Sequence, residues 1–360
     1  MRPDRSRSTG QLRSPGLRNV VEPPTLASVL VIGPAWVGDM VLAHSLLQVI
    51  AARHPGCRIG VVAPSWTLPL LRFMPEVGDA IELPVGHGEL GLGHRYRLAR
   101  TLRDRGYDVA IVLPNSFKSA LVPFWARIPR RVGYARELRG PLLTDRRRID
   151  RGSRPHQALE FAALALPGDA PPPTPLPLPR LAVPPDAAFV ALAALGLAQP
   201  ERPVLALVPG AEYGPAKRWP DEHFADLARK RAAAGWIVWL LGSRRDRPAA
   251  ERVQALSAGA CIDLAGRTTL DQAICLLSLA SAAVTNDSGL MHVAAALGRP
   301  QVAVFGPSDP QRTAPLNDRA HALFIDLPCR PCGQRTCPLG HHKCLRDLAP
   351  DRVLEALSSL

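Results

Sequence analysis

The sequence predicts an α/β protein of two domains, each a parallel sheet flanked by helices, facing each other across a cleft. Three observations carry this reading. Strand-like and helix-like runs alternate in both halves of the 360-residue chain. The strand-like runs are continuous in Val, Ile and Leu, the pattern of strands buried on both faces of a parallel sheet. Nine prolines in residues 167–185 interrupt the alternation once, and such a stretch continues neither element. The expected units are a disordered basic tail (1–24), a first domain (25–166), a semi-rigid linker (167–185), a second domain (186–345) and a C-terminal helix (346–360).

In the first half the expected strands are Ser28–Gly33, Arg58–Ala63, Asp79–Leu83 and Asp108–Leu113. The expected helices are Gly38–Arg53, Thr67–Phe73, Tyr96–Arg105 and Ser116–Arg127. After the linker, strands are expected at Pro203–Val208, Trp236–Leu241, Cys261–Leu264, Ala282–Thr285 and Gln301–Phe305. Helices at about Asp221–Ala234, Leu270–Leu279 and Ser288–Leu297 separate them.

Composition narrows the class. No apolar run reaches the 18 or so residues of a membrane span. Residues 1–24 are rich in Arg, Ser and Pro and lack the apolar core of a secretory signal. Seven Cys, an odd number in a long chain, point to a reducing cytoplasm rather than a disulfide framework. The net charge of +13 is uneven. Residues 1–180 hold 25 Lys/Arg against 14 Asp/Glu, a balance of +11, and the rest is at +2. A basic first half faces something anionic, either nucleic acid or an anionic lipid surface. The alternative is that part of the excess is only the tail, which supplies five Arg. Aromatic residues are 5 %, and no nucleic-acid-binding motif is present, which argues against nucleic acid.

The candidate site residues lie where strands end. Asp39 opens a helix after the first strand and is the only ionisable side chain from Gly33 to Val41. Sites in open α/β sheets form beyond the carboxyl ends of strands, so Asp39 is a candidate base. The competing reading is an acid that complements the helix dipole, which would hold it ionised and limit its basicity. Lys217, on a Gly-containing loop before a helix start at Pro220-Asp221, can hold a phosphate as a point charge, or be a solvated loop lysine. The loop lacks the Walker A pattern. Thr285-Asn-Asp-Ser-Gly-Leu-Met-His opens another helix after a strand. Asn286 or Asp287 is the expected cap, which frees the amides of Ser288, Gly289 and Leu290 for a diphosphate, with His292 nearby. Gly242 and Asp246 mark a third loop on the same edge that could hold a ribose or base. Cys329, Cys332, Cys337 and Cys344, with His341 and His342 between, could ligate zinc or an iron–sulfur cluster, or be reduced structural thiols. The spacing lacks two separated C-x2-C knuckles.

Taken together, Trp36-Val-Gly-Asp-Met, Pro209-Gly-Ala-Glu-Tyr-Gly-Pro-Ala-Lys-Arg-Trp-Pro, Asn286-Asp-Ser-Gly-Leu-Met-His, Phe305-Gly-Pro-Ser and the Cys tail make a pattern. The chain resembles the bacterial heptosyltransferases of lipopolysaccharide core synthesis, glycosyltransferase family 9, from about Ala27 to Leu357. The resemblance implies a GT-B fold, two Rossmann-like domains with parallel sheets facing across a cleft. It implies an inverting transfer of heptose from ADP-heptose, held by the second domain, to a heptosyl-Kdo-lipid A acceptor, held by the basic first domain. It implies no required cofactor, no nucleic-acid partner, and a cytoplasmic enzyme peripheral to the inner membrane. Asp39 would be the general base and Lys217 the partner of the leaving diphosphate. Ser288 and Gly289 would give amides to that group. Asp287 and His292 would orient the donor, and Gly242–Asp246 would lie near the adenosine. Some members carry a pair of Thr before the loop lysine; here Ala211-Glu212 stands there, and no phosphate role is expected of it.

Overall fold

In the computed structural model, residues 25–86, 88–148, 155–168 and 170–360 are described. The expected tail, residues 1–24, lies outside them.

The first domain carries strands β1 (Ser28–Ile32), β2 (Arg58–Ala63), β3 (Asp79–Glu82), β4 (Val109–Val112), β5 (Arg130–Tyr134) and β6 (Asp145–Arg147). The second carries β7 (Val204–Val208), β8 (Ile237–Leu240), β9 (Ile262–Asp263), β10 (Ala282–Asn286), β11 (Gln301–Val304) and β12 (Ala320–Leu323). The sheet orders are β3-β2-β1-β4-β5-β6 and β12-β11-β10-β7-β8-β9. Read from the other edge, the second is the same arrangement as the first. Every pairing is parallel; Val29 lies beside Val109 and Ala282 beside Leu205. The central strands β1, β4, β7, β10 and β11 are buried along their whole length, as continuous apolar runs require.

This order fixes where a site can form. The order in which successive strands are added reverses between β1 and β4 and between β7 and β10, and the crevice opens beyond the carboxyl ends of those strands. Asp39 follows β1, Lys217 follows β7, and Asp287 directly follows β10.

Three strands went unread in the sequence. Strand β5, next to the edge, begins on Arg130-Arg131, and β6 is Asp-Arg-Arg, charged as edge strands are. Strand β12, Ala-His-Ala-Leu, is only half-buried at the opposite edge. Helix limits also differ. The expected helix Tyr96–Arg105 runs over Leu92–Arg103, because Gly91 starts it from a left-handed backbone (φ 52°) and Gly91 and Gly93 break the apolar pattern. The expected helix Ser116–Arg127 is a 3-10 turn, Phe117–Ala120, followed by a short α-helix, Leu121–Trp125.

The helix Val37–Arg53 is buried almost all round, as a helix packed on several sides must be. It packs against its own sheet, against the helix Gln157–Ala163 and against the helix Gly289–Ala296 of the second domain. One apolar core therefore runs through both domains. The Pro-rich stretch is pinned rather than loose. Ser45 Oγ donates to the Pro177 carbonyl (2.6 Å), Gln48 Nε2 donates to that of Leu178 (2.8 Å), and the Arg180 amide donates to His44 Nδ1 (2.9 Å). The next two amides then bond to one domain each: Leu181 to the Ala296 carbonyl and Ala182 to that of Phe73. The C-terminal helix Pro350–Ser358 buries Val353 and Leu357 in the core of the second domain. Among the described residues, no helix is long and apolar enough to cross a membrane.

Candidate functional site

A cleft of about 840 Å³ opens at the facing strand ends, within the range of small-molecule sites. Trp36, Gly38, Asp39 and Trp66 line it from the first domain. Tyr213, Lys217, Gly242–Asp246, Thr269, Asp287–Leu290, His292 and Thr313 line it from the second. All expected site residues outside the Cys tail therefore share one cavity.

Asp39 stands in the first turn of Val37–Arg53. Its pKa is pushed up to about 6, chiefly because burial disfavours the charged form. A hydrogen bond with Gln157 and the charge of Lys217 pull it down, and Asp287 pushes it up again. Desolvation is the largest influence and leaves the carboxyl titrating closer to neutral pH than an exposed aspartate.

On the opposite wall Lys217 Nζ reaches Asp287 Oδ2 at 2.5 Å, and the Ser308 hydroxyl donates to the same oxygen. The ammonium also lies 4.9 Å from the centre of the Tyr213 ring, a cation–π distance. Asp287 thus holds the lysine beside the start of the helix Gly289–Ala296.

Neither Asn286 nor Asp287 caps that helix. The cap position is Ser288, with no side-chain cap bond. Asp287 is occupied by Lys217 and Ser308. Asn286, fully buried, receives the Trp219 amide (3.0 Å) and donates to the Pro209 carbonyl (2.8 Å). It therefore shapes the loop that presents Lys217. The first helical amides keep no intrahelical acceptor, and free amides of this kind can receive an anion. The Ser288 hydroxyl and His292 Nδ1 are buried without a hydrogen-bond partner in the described protein. Burial lowers the His292 pKa to about 4, so its ring is neutral at ordinary pH.

The two walls meet through glycine. A Cβ on Gly38 would lie 2.6 Å from the His292 ring and 3.5 Å from the Gly289 Cα, and one on Gly289 would lie 2.9 Å from Val37 Cβ. Only hydrogen fits at either position, so the helix bearing Asp39 and the helix bearing the free amides touch backbone to backbone.

The third loop is in the cleft with a local duty. Asp246 Oδ2 accepts from the Ser243 amide (2.8 Å) and hydroxyl (2.7 Å). Gly210 and Gly242 leave room for its carboxylate. Glu212, given no phosphate role in the sequence, pairs with Arg245 at 2.7 Å.

Cys329, Cys332, Cys337 and Cys344 gather with His341 and His342 around a separate cavity of about 30 Å³. All four thiols are free, and among the described residues no three His, Cys, Asp or Glu side chains are grouped to hold a metal ion. The segment braces the loops of the cleft from behind. Tyr213 Oη donates to the Gly333 carbonyl (2.7 Å), the Ala216 amide donates to that of Arg335 (3.1 Å), and Arg330 donates to those of Gly306 (2.5 Å) and Ser308 (3.1 Å). These bonds hold the loops of Lys217 and Ser308. Sequence reasoning missed Ser308 and Asn286 as site-builders, although both stand inside motifs it singled out.

Comparison with known proteins places the chain. Residues 95–343 match glycosyltransferase family 9 (heptosyltransferase). The chain is 45 % identical to lipopolysaccharide heptosyltransferase 2 of Salmonella typhimurium, over 92 % of this chain and 98 % of that protein. It is 44 % identical to lipooligosaccharide heptosyltransferase 2 of Haemophilus influenzae, over 92 % and 99 %. The solved structure of Escherichia coli ADP-heptose LPS heptosyltransferase II aligns with a TM-score of 0.83 at 43 % identity, covering 92 % of this chain and 98 % of that one. The fold is thus the expected GT-B type. The chain belongs to glycosyltransferase family 9, the heptosyltransferases, and is a glycosyltransferase of lipopolysaccharide core biosynthesis.

Proposed function

We propose that the enzyme moves heptose from ADP-L-glycero-D-manno-heptose to a heptosyl-Kdo-lipid A inner core, with inversion, in the cytoplasm at the surface of the inner membrane. One observation carries the reading: a desolvated carboxylate on one wall faces a lysine and a helix N-terminus on the other.

Asp39 takes the proton of an acceptor heptose hydroxyl as that oxygen forms a bond to the anomeric carbon. The bond from that carbon to the diphosphate breaks on the opposite face, and ADP leaves with its electron pair. Lys217 and the amides of Ser288 and Gly289 meet the charge that develops on the diphosphate. Asp287 positions Lys217, and neutral His292 lies against the Asp39 helix to orient the donor. The loop Gly242–Asp246 borders the adenosine. These groups bring a cation and amides to the leaving group, and the chemistry is written through no cofactor. The Cys cavity lies outside this pathway.

The test is turnover of a panel of nucleotide sugars with an inner-core acceptor. ADP-heptose should be preferred and the product should carry one added heptose. Preference for another sugar nucleotide, or an unchanged acceptor, sinks the reading.

A further inference from the structure

Asp39 is gripped by a helix that stands where the two domains meet. Gln157 opens the helix Gln157–Ala163, which packs against the helix bearing Asp39. The Gln157 side chain hydrogen-bonds the Asp39 carboxyl. An amide donor on a carboxylate favours its ionised form and fixes which way the remaining lone pairs point. Around a desolvated carboxyl such a bond counts for more than at the surface, because water does not replace it.

The second domain sets where Gln157 stands. His156, the residue before it, caps the helix, and its Nδ1 accepts from the Ala158 amide at 3.3 Å. A neutral imidazole that accepts at one nitrogen donates from the other, and Nε2 donates to the Ala314 carbonyl at 3.0 Å. One turn further on, the Glu160 carboxylate, 12 % exposed, accepts from Arg312 at 3.0 Å. Ala314 and Arg312 both belong to the second domain. From the first domain, Tyr134 Oη donates to the Glu160 carbonyl (2.6 Å), which ties the helix to β5.

Both cross-domain contacts come from one short segment that follows β11, and that segment has a second duty. At its start the Ser308 hydroxyl donates to Asp287, the partner of Lys217. Asp309 then caps the helix Pro310–Thr313 by accepting from the Gln311 amide at 3.0 Å. Thr313 lines the cleft. Segment 308–314 therefore touches the carboxylate that holds Lys217 at one end and the helix that holds Asp39 at the other.

We propose that Gln157 is a positioning residue for the general base: it turns the Asp39 carboxylate toward the acceptor hydroxyl, and segment 308–314 sets Gln157 from the wall that holds the diphosphate. The proposal rests on Asp39 acting as the base. The charged and titratable groups around Asp39 are Lys217 and Asp287 across the cleft, His292 against Gly38, and His156 beside Gln157. Burial holds both histidines toward the neutral form. A change in pH dependence on altering Gln157 is therefore read at Asp39.

The experiment is the pH profile of kcat/KM for Gln157→Leu, which keeps most of the volume and removes the donor. ADP-heptose and an inner-core acceptor are the substrates. At high pH kcat should fall at least about tenfold, the loss expected for one hydrogen bond to a charged group. ADP affinity should stay within about twofold, because the diphosphate is held on the other wall. The acid limb should move above its wild-type position near pH 6, since a carboxylate that loses a donor binds its proton more tightly. Gln157→Glu should move it higher still, because a second carboxylate opposes ionisation. Glu160→Gln, which weakens the Arg312 contact and keeps Gln157, should move the limb the same way by less. A Gln157→Leu enzyme whose limb stays in place overturns the positioning role, whatever its turnover. A Glu160→Gln enzyme with wild-type kcat and limb overturns the part of segment 308–314. Asp39→Asn separates the two levels. If it stays active, the base assignment has failed. If it is inactive while Gln157→Leu behaves like wild type, this proposal fails by itself.

Discussion

The two domains share one strand order and put different chemistry at its reversal. In the first, a helix start after β1 carries one carboxylate whose pKa is raised to about 6 by burial. In the second, the loop after β7 and the helix start after β10 carry a lysine, its carboxylate partner and a hydroxyl. The same topology thus supplies a buried carboxyl on one side and a lysine–carboxylate pair on the other. Sheet order fixes where a site can be, and a few residues at the strand ends decide what it does.

The contrast can be broken most directly at Asp39. Asp39→Asn should lower kcat by at least about 100-fold, since a general base contributes 10²–10⁴. It should leave ADP affinity within about twofold, because Asp39 takes no part in charge-assisted binding of the diphosphate. Single-turnover kinetics and calorimetric titration check the two halves of this statement. Retention of more than about a tenth of the wild-type rate would remove Asp39 from the role of base.

Lys217→Ala tests the other domain with a smaller effect. Hydrogen bonds to charged groups contribute about 1.5–3 kcal/mol, so ADP should bind about 10–100-fold more weakly. An unchanged dissociation constant assigns the diphosphate to other groups.

The smallest effect couples the two sides. The base works ionised, so kcat/KM should fall as pH drops through about 6. His292, at about 4, is neutral over that range and adds nothing. Lys217 holds the Asp39 pKa down, so the acid limb of Lys217→Ala should move to higher pH. Stability runs the other way. Asp39 binds its proton more tightly folded than unfolded, so its contribution to stability is lost as pH rises from its ordinary value of 3.8 through about 6. Asp39→Asn should therefore melt no lower than wild type at pH 8. A limb unmoved by loss of Lys217 would mean that the two walls do not sense each other.

Much of this was legible in the sequence because the central strands are unbroken apolar runs and the site residues follow them directly. Strand β6 escaped because it is a short, charged edge strand, and β5 because it opens on two arginines, which breaks the apolar run. Asp39 could be placed but not titrated: its pKa depends on burial, on a hydrogen bond with Gln157 and on the charges of Lys217 and Asp287 in the other domain. Asn286 and Asp287 read as caps because Asx residues before helices usually cap. Tertiary contacts with Trp219 and Lys217 claim them instead. The Cys tail invited a metal, and its visible work is hydrogen bonding to neighbouring loops.

At Gly38 and Gly289 the two helices meet on positions without side chains, against the His292 ring and Val37 respectively. The separation of the two cleft walls is therefore set where neither glycine carries a side chain of its own. An alanine at either glycine would act as a shim, pushing both walls apart together and detuning every contact across the cleft without altering a single reacting group.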